Sequence, residues 1–178
     1  MSHRLFVAIR PPPHVLDLLI DTMEGLDEAR WQSEEQLHLT LRFIGEVDTP
    51  EANDLADALG RVRMSSFSLR LSGIGHFERK GRVHSLWAGL APSPELLELQ
   101  RKIEQACRAA GLDAETRRFT PHITLARMSC RPGAVAPFLT QHARLTSPCF
   151  AADSFTLYES TLSRHGSVYR PVLRYPLG

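Results

Sequence analysis

The stretch Leu37-His38-Leu39-Thr40-Leu41 is answered 84 positions later by Pro121-His122-Ile123-Thr124-Leu125. Both copies read His-apolar-Thr-Leu inside a run with strand character. Side chains alternate faces along a strand, so His38 and Thr40 point one way, and His122 and Thr124 do the same in their own strand. Leu39, Leu41, Ile123 and Leu125 point the other way, toward a core. Each copy thus presents one imidazole and one hydroxyl, two residues apart on one face. At this composition roughly 0.06 copies of His-x-Thr-Leu are expected by chance, so a repeated pair asks for a joint explanation.

Working outward, residues 4–9 predict a first strand, ended by Pro11, Pro12 and Pro13. Val15, Leu18, Leu19 and Met23 recur at helical spacing over 14–26, with Asp17 and Asp21 on the other face. Residues 31–36 read as a loop, and 37–44 as the first motif strand, stopped at Gly45. Thr49-Pro50-Glu51 opens a second helix, with Thr as cap and Pro as first helical residue. A half-buried strand over 67–71 is broken by Gly73 and Gly75, and 76–82 is a charged loop or hairpin. Residues 83–90 form another strand. Ser93-Pro94-Glu95 opens a third amphipathic helix ending near Gly111. The second motif strand covers 119–127 and a short helix 132–142. The last strands run over 150–158 and 168–175. Helices and strands are mixed without strict alternation, which predicts an α+β fold with largely antiparallel sheets. With the motifs half a chain apart, a two-lobed arrangement with an approximate internal two-fold would line a central groove with one pair from each lobe. The helices would then lie on the outer faces. The whole of 1–178 is expected to form one domain of two intertwined lobes.

The composition sets limits. A chain of 178 residues with a net charge of +1 carries no overall field that would draw it to nucleic acid. Lys80 and Lys102 are its only lysines; the Arg bias suits oxyanion binding, but genomic base composition is the plainer explanation. Three cysteines without Cys-x-x-Cys spacing suggest reduced thiols in a cytoplasmic protein. No signal peptide is read in the first 25 residues, and no apolar run has membrane-spanning length.

Imidazole titrates near neutral pH, so two of them flanking one reacting atom can take a proton from an attacking group and give one to a leaving group. In-line phosphoryl transfer has that geometry. Thr40 and Thr124 would donate hydrogen bonds to the non-bridging oxygens, and Arg127 could add a charge-assisted contact to phosphate or stack on a base. No carboxylate cluster of the kind that holds Mg²⁺ at phosphates is present. Two histidines could share zinc, but no third ligand is evident. A metal-independent phosphodiesterase without cofactor fits better.

His38-Leu-Thr-Leu41 with Phe43-Ile-Gly45, and Pro121-His-Ile-Thr-Leu125 with Arg127, resemble the 2H phosphoesterase superfamily. Within it, the RNA 2′,3′-cyclic phosphodiesterases, once called 2′-5′ RNA ligases, are the best match. The likeness extends to the opening Arg4-Leu-Phe-Val-Ala-Ile9, to Ser85-Leu-Trp-Ala-Gly-Leu90, and to the closing region from Phe155 to Tyr158 with Tyr169. It implies a two-lobed α+β fold and hydrolysis of an RNA terminal 2′,3′-cyclic phosphate to a 2′-phosphomonoester. It makes His38 the proton donor and His122 the proton acceptor, an order the residues alone do not give. Joining of RNA ends through a 2′-5′ linkage is the associated reverse reaction. The implied partner is RNA with a cyclic phosphate end, or a tRNA half, met by a monomer. Phe6 is a candidate base-stacking contact from the first strand, although strand aromatics as a rule pack inward; Ala8 narrows what else that strand can offer.

Each motif has a plainer explanation when taken alone: structural histidines and ordinary strand threonines. Trp87 and Tyr158 read as core. The basic loop Arg79-Lys80-Gly81-Arg82 reads equally as an RNA guide or a solvated turn. Two rival functions stay open: a phosphodiesterase for other cyclic or 2′-5′ linked nucleotides, and a module that binds a nucleotide or RNA end without chemistry.

Overall fold

The computed structural model describes all 178 residues. The chain forms ten strands: β1 (Ser2–Ile9), β2 (Arg30–Trp31), β3 (Leu39–Asp48), β4 (Phe67–Leu69), β5 (Leu71–Arg79), β6 (Arg82–Leu90), β7 (His122–Cys130), β8 (Phe150–Ala152), β9 (Ser154–Ser163) and β10 (Gly166–Pro176). Four α-helices join them: α1 (Pro13–Thr22), α2 (Thr49–Leu59), α3 (Pro94–Ala109) and α4 (Pro132–Gln141). Every strand pairing is antiparallel, so the fold is α+β as the sequence predicts.

The main sheet runs β10-β9-β1-β3-β7-β6-β5, with β2 added to β7; β4 and β8 pair with each other apart from it. This order holds an internal symmetry. Apart from β2 and β10, which have no counterpart, the first half of the chain runs β1-α1-β3-α2-β4-β5 and the second β6-α3-β7-α4-β8-β9. Exchanging the halves turns β9-β1-β3 into β5-β6-β7, which is the same sheet read from its other end. Each half therefore contributes its last strand to the far side: β5 lies beside β6, and β9 beside β1.

Leu39, Leu41, Ile123 and Leu125 are all at most 2% exposed and belong to one 28-residue core. Val15 and Leu19 of α1, Leu55 and Leu59 of α2, and Leu99 and Ile103 of α3 pack into the same core. These helices thus cover the sheet face opposite the motif histidines. A smaller core gathers Val83, Leu86, Ala126 and Met128 under Val135 and Phe138 of α4.

Several boundaries differ from the sequence reading, each for a local reason. Helix α1 stops at Thr22, whose hydroxyl donates to the Leu19 carbonyl, and Gly25 turns the chain at a φ of +81°. Asp48, not Thr49, caps α2: its carboxylate accepts from the Glu51 N–H while Glu51 accepts from the Asp48 N–H, a reciprocal box. Ser93 caps α3 as expected. The second motif strand begins at His122 because Pro121 has no N–H for the ladder. Gly73 and Gly75 do not break a strand. β5 runs through both, with a bulge between Leu71 and Ile74 and Gly73 at a φ of +77°. The runs 67–71 and 150–158 each split, at Arg70 and at Asp153. The carbonyl of Arg70 accepts from the Ala91 N–H, and that of Asp153 from the Leu177 N–H.

Arg42 ties β3 to α3 and the loop beyond it. Its guanidinium, 7% exposed, bonds the Glu104 carboxylate at 2.7 Å and the Asp113 carbonyl at 2.6 Å. Arg42→Met strands both acceptors and is expected to cost about 3 kcal/mol, read as a lowered urea midpoint.

Candidate active site

The two motif strands meet at the centre of the sheet through one pair, Leu39 opposite Ile123. These are the residues immediately after His38 and His122. Continued one step each way, this register sets His38 across from Thr124 and Thr40 across from His122. The histidines are then diagonal neighbours on one face, and in a regular ladder such neighbours stand about 7–8 Å apart. Both rings line one compartment of about 340 Å³, which has room for a phosphate.

Local structure fixes each imidazole differently. His38 follows a short 3-10 turn, Glu34–Gln36, closed by Ser33 and Gln36. Arg10, just past β1, donates to the carbonyls of Glu34 and Leu37, each at 2.6 Å, and so anchors the approach to His38. The His38 ring lies nearly parallel to Phe6, centroids 4.9 Å apart, with Tyr169 edge-on at 5.0 Å. His122 is held by a hydrogen bond instead: its Nδ1 stands 2.6 Å from the Thr120 carbonyl. A carbonyl only accepts, so Nδ1 carries the proton and Nε2 faces the cleft with a lone pair when the ring is neutral.

Burial pushes the His38 imidazole down to about 4, and the Arg10 guanidinium adds to the fall. Burial also lowers His122 below the ordinary histidine range; the Thr120 carbonyl opposes that shift and Arg127 adds to it. In the empty cleft at neutral pH both rings are therefore uncharged.

The cleft has two adjoining compartments. One, of about 340 Å³, holds His38 with Gln32, Gln36 and Tyr169. The other, of about 530 Å³, extends past His122 to Arg117, Arg118 and Phe119. Thr40, Phe43, His122, Thr124 and Arg127 line both. All six expected site residues thus line the His38 compartment: both histidines, both threonines, Phe6, and Arg127, which has no carboxylate partner. Phe6 is 4% exposed and is stacked between His38 and Tyr158. Arg79-Lys80-Gly81-Arg82 sits at the β5–β6 turn and lines neither compartment. No group of three or more His, Cys, Asp or Glu side chains is placed to hold a metal ion.

Sequence reasoning passed over Arg118, Gln32, Gln36 and Tyr169. Arg117-Arg118 just before the second motif was a legible basic doublet. The glutamines carried no such signal and Tyr169 entered only through the family likeness; tertiary packing brings all three to His38. Trp87 and Tyr158, read as core, are half-buried neighbours of the two histidines.

The chain belongs to the 2′-5′ RNA ligase superfamily, whose family model matches residues 11–164. Among its curated relatives is the RNA 2′,3′-cyclic phosphodiesterase of Thermotoga maritima, 33% identical over 173 residues, covering 94% of this chain and 91% of that protein. The protein of the same name from Escherichia coli is 30% identical over 178 residues, covering 98% and 96%. Among solved structures, E. coli LigT complexed with 3′-AMP superposes with a TM-score of 0.81 at 29% identity, covering 99% of both chains.

Proposed function

We propose that this protein hydrolyses the 2′,3′-cyclic phosphate end of RNA to a 2′-phosphomonoester by paired imidazole catalysis, without a metal ion. Water attacks phosphorus and the bond to the 3′ oxygen breaks. Nε2 of His122 takes the proton of the water, and His38 gives its proton to the departing 3′ oxygen. Thr40 and Thr124 donate to the non-bridging oxygens, and Arg127 offsets their charge. The observation that carries this reading is the Leu39–Ile123 pairing, which turns two separate His-x-Thr pairs into the lining of one cleft. The Thr120 hydrogen bond supports the order of roles, since it leaves the His122 Nε2 free to accept. The names of the curated relatives support the substrate. With a 5′-hydroxyl in place of water, the same groups would join two RNA ends through a 2′-5′ linkage; that reaction is secondary here. Both motifs come from one chain, which supports action as a monomer, a tRNA half being one fitting substrate. Three unpaired cysteines support a cytoplasmic setting. No helix is long and apolar enough to cross a membrane.

The test is incubation with an RNA ending in a cyclic phosphate, chelator present, followed by analysis of the new end. A 2′-phosphate is expected; a 3′-phosphate end, or an intact RNA, defeats the proposal.

The lowered imidazoles set a pH dependence. The productive cleft holds one charged and one neutral ring. Burial lowers His38 further than His122, so in the free enzyme the single proton favours His122 and the productive arrangement, with His38 charged, is the minor one; both arrangements are most populated on the acid side of 6.5. kcat/KM is therefore expected to peak there. A bound phosphate anion favours imidazolium and raises both values, so the kcat profile should lie at higher pH than that of kcat/KM. Superimposable profiles would contradict this account.

A further inference from the structure

Trp87 stands across from Thr124 in the β6–β7 ladder and across from Gly75 in the β5–β6 ladder. It therefore shares a face with the second His-Thr pair. Its indole spreads over Gly75: a Cβ built there would lie 2.3 Å from the ring. Two residues on, Phe77 returns to the same face, 5.2 Å from the indole. Phe77 also meets His122, ring perpendicular at 88° and centroids 4.9 Å apart, while Trp87 lies 5.8 Å from the imidazole. So His122 is held at one nitrogen by Thr120 and along one flank by two aromatic rings. The indole keeps this place although its Nε1–H is buried without an acceptor, a cost that phenylalanine would avoid. The ring's size and seat matter more there than its polar atom.

We propose that Trp87, seated on Gly75, is the positioning residue of His122: with Phe77 it forms the wall that sets the direction of Nε2 and keeps water off that flank of the ring. Gly75 is part of the device, because any side chain there drives the indole toward the imidazole. The inference rests on His122 acting as proton acceptor. The charged and titratable groups facing His122 are Arg127 on its own strand, Arg117, Arg118 and Glu115 in the preceding segment, and His38 from just before β3. On β5, His76 and Glu78 pair with each other at 2.8 Å on the face away from Phe77.

The experiment compares Gly75→Ala, Trp87→Leu, and the double variant Gly75→Ala with Trp87→Phe. Two readings are taken: kcat and KM on the cyclic-ended RNA, and the NMR titration of the His122 ring. Gly75→Ala and Trp87→Leu should each lower kcat about tenfold to a hundredfold, the scale of a misplaced reacting group, with KM little changed. The His122 titration should move up toward 6.5 as water reaches the ring. In the double variant the smaller ring should restore most of kcat. Should Gly75→Ala not fold, Trp87→Leu carries both readings. Folded variants with unmoved kcat and unmoved titration overturn the proposal. The titration needs no turnover: a wild-type protein that leaves the RNA intact sinks the catalytic reading, whereas a fixed His122 titration sinks this one.

Discussion

Replacing His38 or His122 by alanine is expected to lower turnover of a cyclic-ended RNA by roughly 10²–10⁴ each, the usual worth of a positioned acid or base. The two rings act on the same displacement, one on each side of phosphorus. Removing the second after the first should therefore cost much less than the product of the single losses, because the concerted proton transfer is already gone. The comparison of both single variants with the double variant is made on kcat at fixed pH, with circular dichroism as the check on folding. His38 packs on Phe6 and both rings are part of the sheet surface, so His→Gln provides a second, space-filling version. Either single variant turning over like the parent protein would remove paired catalysis from consideration.

Thr40→Val and Thr124→Val should each lower kcat by roughly 10²–10³, the cost of one donor aimed at a developing charge. Valine keeps the branched shape that suits a strand and deletes only the hydroxyl. The loss belongs in kcat, since the charge on the non-bridging oxygens must be held most strongly as the bonds to phosphorus change. A variant whose KM rises while kcat stands still would mean that the hydroxyl merely binds the ground state. Thr40 lies across from His122 and Thr124 across from His38 by continuation of the central register. Both threonines line the compartment that holds the two imidazoles, so similar losses are expected from the two.

The chemistry was legible in the sequence because its carrier is local. Alternation within five residues separates His38 and Thr40 from Leu39 and Leu41, and the same holds at the second motif. The antiparallel α+β class followed from the order of elements. What the sequence did not disclose is whatever depends on partners distant along the chain. Gly73 and Gly75 read as strand breakers because glycine punctuates; the reason for Gly75 is an indole twelve residues on, across a ladder. Phe6 read as a candidate base-stacking platform or as core, and it is buried with its ring stacked on the His38 imidazole. Tyr169 reaches the cleft only once β10 has paired with β9, Gln36 donates to the Ser167 carbonyl of β10, and the Gln32 N–H is held by the Leu125 carbonyl of β7. Asp153 interrupts a run of strand-forming residues because the chain changes sheets there, a turn that no propensity marks.

The exchange of β5 and β9 between the halves has a consequence for how such a molecule can be cut or built. A nick at Gly81, in the tip joining β5 to β6, would yield two fragments of nearly equal length, neither of which closes its own portion of the sheet. Each would expose an edge that only the other can cover, so they should recover activity only on mixing.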